Sequence, residues 1–296
     1  MKYGKVENPE LVDFTLPADH SDTQNVLSSQ KDADFNVYVG CAKWNRADLK
    51  GFYPRGTKDE LTYYSTQFNS IELNATFYNM PTIEQVVKWK EKTPKYFKFF
   101  PKITNSISHY RRLKNVKDLV DIYCDSVAYF EEKLGMVFLQ LSDHFSPNEF
   151  AKLQEFVEYF PKVIPLAVEV RNKKWFSDEM IWDEFCSLLR ENNATNLITE
   201  VAGRRDMVHQ RMTSPSAFIR FTGCNVDAID YPRMDDWLDR IEIWKNQGLK
   251  NLYFFVHQNV EVSSLLLSVY FIEKLNARFG TKLSIPNAKG GVIVKK

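Results

Sequence analysis

The sequence predicts an α/β fold of the TIM type, a (β/α)8 barrel of parallel strands with outer helices. Three observations carry that reading. Eight strand-like runs recur along the chain, spaced by roughly 20 to 40 residues, the length of a strand plus its crossover helix. The stretches between them are amphipathic helices, and so regular an alternation favours a parallel sheet covered by helices over segregated strands and helices. Polar and charged residues recur toward the ends of the otherwise apolar strands, where barrels of this type gather their chemistry.

Taken in order, residues 1–35 are polar and irregular, with Pro9, Pro17 and only weak periodicity in Leu11, Val12, Phe14 and Leu16. They read as an N-terminal extension lying against the barrel. Strands are expected at 36–41, 70–77, 97–103, 136–141, 166–171, 195–201, 217–223 and 251–258. One helix opens with Ser146 as N-cap, Pro147 and Glu149, buries Phe150, Leu153, Phe156, Val157 and Phe160, and stops at Pro161. Others are expected at 57–68, 82–92, 116–134, 178–192, 234–246 and 263–279, the last two ended by Gly248 and Gly280. Only the stretch GRRDMVHQRMTSPS after the sixth strand lacks a helical pattern, so the helix there is weak or missing. The domain spans 36–280 as one unit, with a C-terminal tail at 281–296.

The rival, an open doubly wound sheet, announces itself with a glycine-rich turn after its first strand. Here that turn reads Cys41-Ala42-Lys43-Trp44-Asn45, and the 11 glycines form neither G-x-G-x-x-G nor G-x-x-x-x-G-K-[ST]. No dinucleotide or Walker-type phosphate cradle is expected, and no cofactor is assigned.

Charge is nearly balanced, 39 Lys and Arg against 38 Asp and Glu, which argues against nucleic acid or membrane as a partner. The four cysteines (Cys41, Cys124, Cys186, Cys224) have no Cys-x-x-Cys spacing, so neither a zinc knuckle nor a redox pair is expected. Reduced thiols, the lack of a signal-peptide pattern and the lack of an apolar run near roughly 20 residues predict a soluble, cytoplasmic protein.

The site is organised around Ser70-Ile-Glu-Leu-Asn-Ala-Thr-Phe-Tyr78. As a strand it places Glu72, Asn74 and Thr76 on one face and Ile71, Leu73, Ala75 and Phe77 on the other. Later strands repeat the habit with Lys102, Gln140, Glu169, Arg171, Arg220 and His257, while His109 sits on the loop after the third strand beside Arg111, Arg112 and Lys114. Trp44, Tyr78 and Trp175 follow strands and are expected to wall the pocket.

These residues also carry a resemblance. The run VGCAKWN, Phe52-Tyr53-Pro54, Leu61-Thr-Tyr-Tyr64 with Phe68, and Ile71-Glu-Leu-Asn-Ala-Thr-Phe-Tyr78 resemble the YecE-like family, domain of unknown function 72. Phe99-Phe-Pro-Lys102 with His109 is similar to that family's third-strand lysine and following Thr-His stretch, and Phe138-Leu-Gln-Leu141 to its glutamine strand. Val168-Glu-Val-Arg171 with Trp175 resembles its Glu-x-Arg signature, and Arg220-Phe-Thr-Gly223 its Arg-x-His-Gly. Thr222 departs from the histidine of many relatives, and His257-Gln258-Asn259 from their Asn-Asn pair, which points to a different ligand in this branch. The resemblance implies a TIM-type barrel and no particular chemistry.

Three functions stay open. The first is an enzyme acting on a small anionic or polyhydroxylated molecule, with Glu72 and Glu169 as acid and base, His109 as a further catalytic group, and Asn74, Lys102, Gln140, Arg171, Arg220, His257 and the three aromatics binding substrate. There Glu72, away from Arg171, is expected to rise toward neutrality and donate the proton, while Glu169 stays ionised and orients. For Glu169 and Arg171 the plainer reading is an internal ion pair filling the barrel. Lys102 has three readings, a charge partner for either glutamate, a partner for an anionic substrate or, if desolvated, a Schiff-base amine, and the charge role is preferred. The second function is a metal-dependent hydrolase or isomerase built on Glu72, Glu169, His109 and His257; their lack of compact spacing and the surrounding cations lead us to expect no metal. The third is a non-catalytic binder of a small molecule or nucleic acid, using the Arg111-Arg112 and Arg204-Arg205 loops.

Overall fold

A computed structural model describes residues 3–28 and 34–288. The rest of the expected extension (1, 2 and 29–33) and residues 289–296 of the expected tail lie outside the described residues. The strands are β1 (Asn36–Cys41), β2 (Ser70–Leu73), β3 (Lys98–Pro101), β4 (Val137–Gln140), β5 (Leu166–Glu169), β6 (Thr195–Asn196), β7 (Ile198–Glu200), β8 (Ser216–Gly223) and β9 (Asn251–Gln258). The helices are α1 (Thr23–Ser28), α2 (Glu60–Gln67), α3 (Ala75–Tyr78), α4 (Ile83–Glu91), α5 (Lys117–Ala128), α6 (Phe150–Tyr159), α7 (Glu179–Glu191), α8 (Asp227–Gln247) and α9 (Ser264–Phe279).

All strand pairs are parallel, as alternation with helices requires. The closed barrel expected from the sequence is not what the hydrogen bonds draw. They form three separate sheets, ordered β1-β9-β8-β7, β2-β3 and β4-β5-β6. The physical cause lies at the seams. Between β1 and β2 the side chain of Asn69 accepts from Val39 N and donates to Val37 O, and the Tyr64 hydroxyl accepts from Cys41 N. Side chains have taken the groups a backbone ladder would use. The backbones still approach closely there, since a Cβ on Gly40 would stand 2.2 Å from the Ser70 carbonyl oxygen. Between β3 and β4 only isolated bridges form, Phe99 with Leu134 and Lys102 with Phe138. The expected sixth strand breaks at Leu197, so that β6 pairs with β5 and β7 with β8.

Several helices start where their caps predict. Asp59, Thr82 and Asp178 accept from backbone N–H groups in the first turns of α2, α4 and α7, and left-handed Gly248 ends α8. Ser146 caps nothing through its side chain, because a 3₁₀ turn at Pro147–Glu149 precedes α6. After β7 the described chain holds only a 3₁₀ turn, Arg205–Met207, where the sequence shows no helical pattern.

The main core lies between sheets and helices. A second, smaller apolar cluster, Phe100, Met136, Phe138, Ala167, Leu197, Phe218 and Phe255, sits on the opposite strand faces with Tyr38 and Tyr253 packed against it. Side chains alternate, so the residue two places further along each strand occupies the same face one layer higher. Phe100, Phe138, Ala167, Phe218 and Phe255 are thereby followed by Lys102, Gln140, Glu169, Arg220 and His257. An apolar floor carries a polar layer at the C-terminal ends of the strands.

Candidate active site

Arg220, from the middle of β8, is the centre of that layer. Its Nε and Nη2 donate to the two oxygens of Glu72, both at 2.9 Å, and its Nη1 donates to Glu169 Oε2 at 2.7 Å. Asn74 Nδ2 donates to Glu72 Oε1 at 2.8 Å, and His257 Nε2 lies 3.0 Å from Glu72 Oε2. Four nitrogen atoms thus surround the Glu72 carboxylate, all that its lone pairs can accommodate. Arg171 Nε donates to Glu169 Oε1. Both carboxylates and Arg220 are buried, and a buried charge is tolerable when paired and hydrogen-bonded in this way.

The electrostatics follow. Burial alone would raise Glu72, but the charges of Arg220 and His257 and the hydrogen bonds outweigh it and hold the carboxyl well below the usual carboxylate range. Glu169, also penalised by burial, is lowered by Arg171 and Arg220. The expectation that Glu72 becomes neutral and donates a proton is thus overturned, because Arg220 reaches both carboxylates and not only the nearer one.

Gln140 Oε1 is the hub for the cations. It accepts from Lys102 Nζ and Arg171 Nη2, each at 2.9 Å, and from Arg220 Nη1 at 3.3 Å. Among the described residues Lys102 makes no contact ion pair with either glutamate, although its charge and theirs still favour one another. Its other neighbour is the Phe77 ring, 3.9 Å from Nζ to the centroid. Burial first, then the like charges of Arg220 and Arg171, bring its pKa down to about 7.

His109 lies on a single π-helical turn, Ser106–Tyr110, a feature frequent at functional sites. Ser108 Oγ donates its one hydrogen to Thr104 O at 3.0 Å, so at its 2.9 Å contact with His109 Nδ1 it must accept. Nδ1 then carries the proton and Nε2 keeps its lone pair. Burial, together with Lys102 and Arg171, lowers the ring to about 4, which leaves it neutral at physiological pH.

A cavity of about 490 Å³ opens above this layer, lined by Asn74, Lys102, His109, Gln140, Arg171, Arg220 and His257, with Phe77, Tyr78 and Tyr3 among its walls. Glu72 and Glu169 lie beneath and do not line it. Trp44 and Trp175 are not in it either. Trp175 is fully buried, donates from Nε1 to Phe145 O at 2.9 Å and packs against Phe145, Phe150 and Phe185; it serves the core. Trp44 turns away to meet Trp89 edge-on at 6.1 Å.

Several lining residues escape the strand-based reading, Lys43, Glu261, Phe77 and Tyr3 among them. Strand alternation puts Phe77 on the apolar face, but the strand ends at Leu73 and the next residues coil into α3, because Thr76 Oγ1 bonds Leu73 O and Lys102 O. Tyr3 comes from the other end of the chain. Its ring centroid lies 3.9 Å from Arg171 Cζ, and its hydroxyl accepts from Arg204 Nη1 at 2.6 Å. No local sequence signal marks it, since the contact joins residues far apart in the chain.

The residues named for the other two functions have the following surroundings. Among the described residues no three His, Cys, Asp or Glu side chains gather as metal ligands, and the oxygens of Glu72 are already taken. The basic loops bond within the protein while Arg111 stays exposed: Arg112 bonds Glu149 and His144 O, Arg111 bonds Asn115 O, Arg204 bonds Asp206 and Arg171 O, and Arg205 bonds Glu200.

Parallel strands crossed over by helices, with polar residues converging above the strand ends, define an α/β protein of the kind that builds its pocket at the C-terminal side of its sheets. The family model described as "Protein of unknown function DUF72" matches residues 38–289, and the chain belongs to that family. The UPF0759 protein YecE of Escherichia coli (strain K12) is 26% identical over 242 residues, covering 75% of this chain and 86% of that one. The UPF0759 protein YunF of Bacillus subtilis (strain 168) is 28% identical over 150 residues, covering 48% and 52%. A crystal structure of a DUF72 family protein from Enterococcus faecalis V583 superimposes with a TM-score of 0.67 at 19% identity, covering 81% of this chain and 98% of that one. One from Thermotoga maritima MSB8 gives 0.63 at 23% identity, covering 81% and 99%. These likenesses support the fold. Among the described residues no helix is long and apolar enough to cross a membrane.

Proposed function

We propose that this protein is a cytoplasmic enzyme acting on a small anionic or polyhydroxylated molecule bound above the polar layer, in a single domain of about 36–280 whose three sheets make a TIM-type barrel with open seams. The single observation that carries the function is the charge count around the cavity. Arg171 and Arg220 are matched by Glu72 and Glu169, and Lys43 on the wall by Asp48; among the described residues Lys102 has no carboxylate in contact, and Glu261 on the cavity wall accepts from Ser264, so an anionic ligand finds its partner in Lys102.

In this reading Glu72 and Glu169 orient Arg220 and Arg171 and do not transfer protons. Arg171 keeps Nη1 for the ligand, His257 and Asn74 supply polar contacts, and the neutral His109 is the base. The test is thermal stabilisation by small carboxylates and phosphates. Lactate or inorganic phosphate should raise the melting temperature of the wild type in a concentration-dependent manner, and Arg171→Met should abolish the effect. If no small anion stabilises the wild type, the reading fails.

A further inference from the structure

The polar layer contains one group whose surroundings differ in kind from all the others. Among the described residues, every charged side chain of this layer has an opposite charge in contact except Lys102, whose Nζ meets a neutral amide oxygen at 2.9 Å and the face of an aromatic ring at 3.9 Å. It is buried just past the end of β3, yet it lines the cavity. Two guanidinium groups share its acceptor, Gln140 Oε1. A lysine in an apolar wall beside other cations is a lysine made nucleophilic, because both surroundings disfavour the ammonium form. The same Phe77 ring that covers Nζ also meets the His109 ring edge-on, with centroids 4.9 Å apart. The amine and the lone-pair nitrogen of a neutral histidine are thus assembled around one side chain.

From this juxtaposition we infer that Lys102 forms an imine with the carbonyl carbon of an anionic oxo compound, such as a keto acid or a phosphorylated aldehyde, whose anionic group is held by Arg171. The inference rests on the anion-binding reading above and names its substrate class. The Nζ lone pair attacks the carbonyl carbon, forming the C–N bond while the C=O π pair moves to oxygen. His109 Nε2 takes a proton from nitrogen and returns it to that oxygen, giving a carbinolamine. The hydroxyl then leaves as water, with the second proton from nitrogen, as the C=N bond forms. Amine plus carbonyl gives imine plus water, with no change of oxidation state and no co-reactant. The lowered pKa of Lys102, about 7, leaves a large share of the amine unprotonated at neutral pH.

The experiment is reductive trapping. The full-length protein is incubated at pH 7.5 with pyruvate or with glyceraldehyde 3-phosphate, treated with borohydride, digested and mapped by mass spectrometry. The expected result is an adduct on Lys102 formed about a hundredfold faster than on surface lysines, suppressed by excess lactate, which offers the same charge without the carbonyl. Lys102→Arg keeps a cation at Gln140 and should give no adduct there. If pyruvate and lactate both stabilise the wild type but neither carbonyl probe modifies Lys102 preferentially, the imine inference is overturned and the anion-binding reading stands. If none of these molecules stabilises or modifies the protein, both fall.

Discussion

Arg220 and Glu72 form a two-pronged ion pair: Nε and Nη2 each donate at 2.9 Å to separate carboxylate oxygens, in the planar geometry that suits guanidinium and carboxylate. Because Arg220 also holds Glu169, it compensates two buried charges at once. Replacing it by methionine leaves Glu72 without its main partner and Glu169 with Arg171 alone. Arg220→Met should lose about 3–5 kcal/mol of stability, read by urea denaturation, whereas Glu72→Gln should lose less because it removes a charge instead of stranding one. A milder effect for Arg220→Met than for Glu72→Gln would contradict this account of the network. The same pairing sets the acid limit. Folded-state pKa values of Glu72 and Glu169 lie below the ordinary value, so their contribution is complete above the unfolded value and is lost as pH falls through the folded one.

Lys102 works in the opposite direction. Its folded pKa, about 7, lies well below the ordinary lysine value. Below about pH 7 the group is protonated in both states and the full cost of burying the ammonium is present. Between the two values the unfolded chain binds one proton more, so stability rises with pH and the cost fades. Lys102→Met should therefore stabilise the protein at pH 7 by on the order of 3 kcal/mol, with the difference from wild type shrinking toward about pH 10. Denaturation curves at several pH values test this; a gap that widens with pH would refute it.

The strands and helices were legible because their periodicities are strong, and the polar layer was legible because charge at strand ends is costly to bury without purpose. Three things were not. The seams depend on Asn69 and Tyr64 capturing the edge of β1, and nothing in those residues alone distinguishes this from ordinary polarity at a helix end. The turn of Phe77 into the cavity depends on one hydroxyl, Thr76, whose acceptors include a carbonyl on the next strand. The pairing of charges was legible as a set but not as a graph: two glutamates, two arginines and a lysine can be matched in several ways, and only the reach of Arg220 leaves the lysine over.

The N-terminal segment is fixed by more than Tyr3. Asp22 pairs with Arg190 and with buried Arg211, Asp19 pairs with Arg240, and the Phe14 ring centroid lies 4.3 Å from Arg233 Cζ. Through these contacts the segment neutralises arginines of the body. Deleting residues 1–28 should lower stability by several kcal/mol, because buried Arg211 then keeps only the exposed Asp183 and packing is lost, measured by the denaturation midpoint. Tyr3→Ala alone should weaken anion binding by about 1 kcal/mol through loss of the ring over Arg171, read by calorimetry. A deletion variant as stable as the full chain would return the segment to an accessory role.

Gln140 offers the sharpest test, because stability and reactivity should part company there. Its Oε1 already accepts from Lys102, Arg171 and Arg220, so Gln140→Glu needs no new geometry; it adds one negative charge where three cationic donors converge. An opposite charge beside a buried lysine favours the ammonium form, so the pKa of Lys102 should climb back toward the ordinary lysine value. The variant should be more stable than wild type at pH 7 by about 1–3 kcal/mol, as hydrogen bonds from cations to a neutral amide become ion pairs. Its Lys102 should be far less reactive, since the amine is then protonated at neutral pH. Competitive reductive methylation followed from about pH 6 to 10 and mapped to Lys102 reads the titration directly, beside a denaturation curve for each protein. If the glutamate variant methylates at Lys102 as readily as wild type near pH 7, then the charges around Gln140 do not control this amine, and the electrostatic reading of the site is wrong.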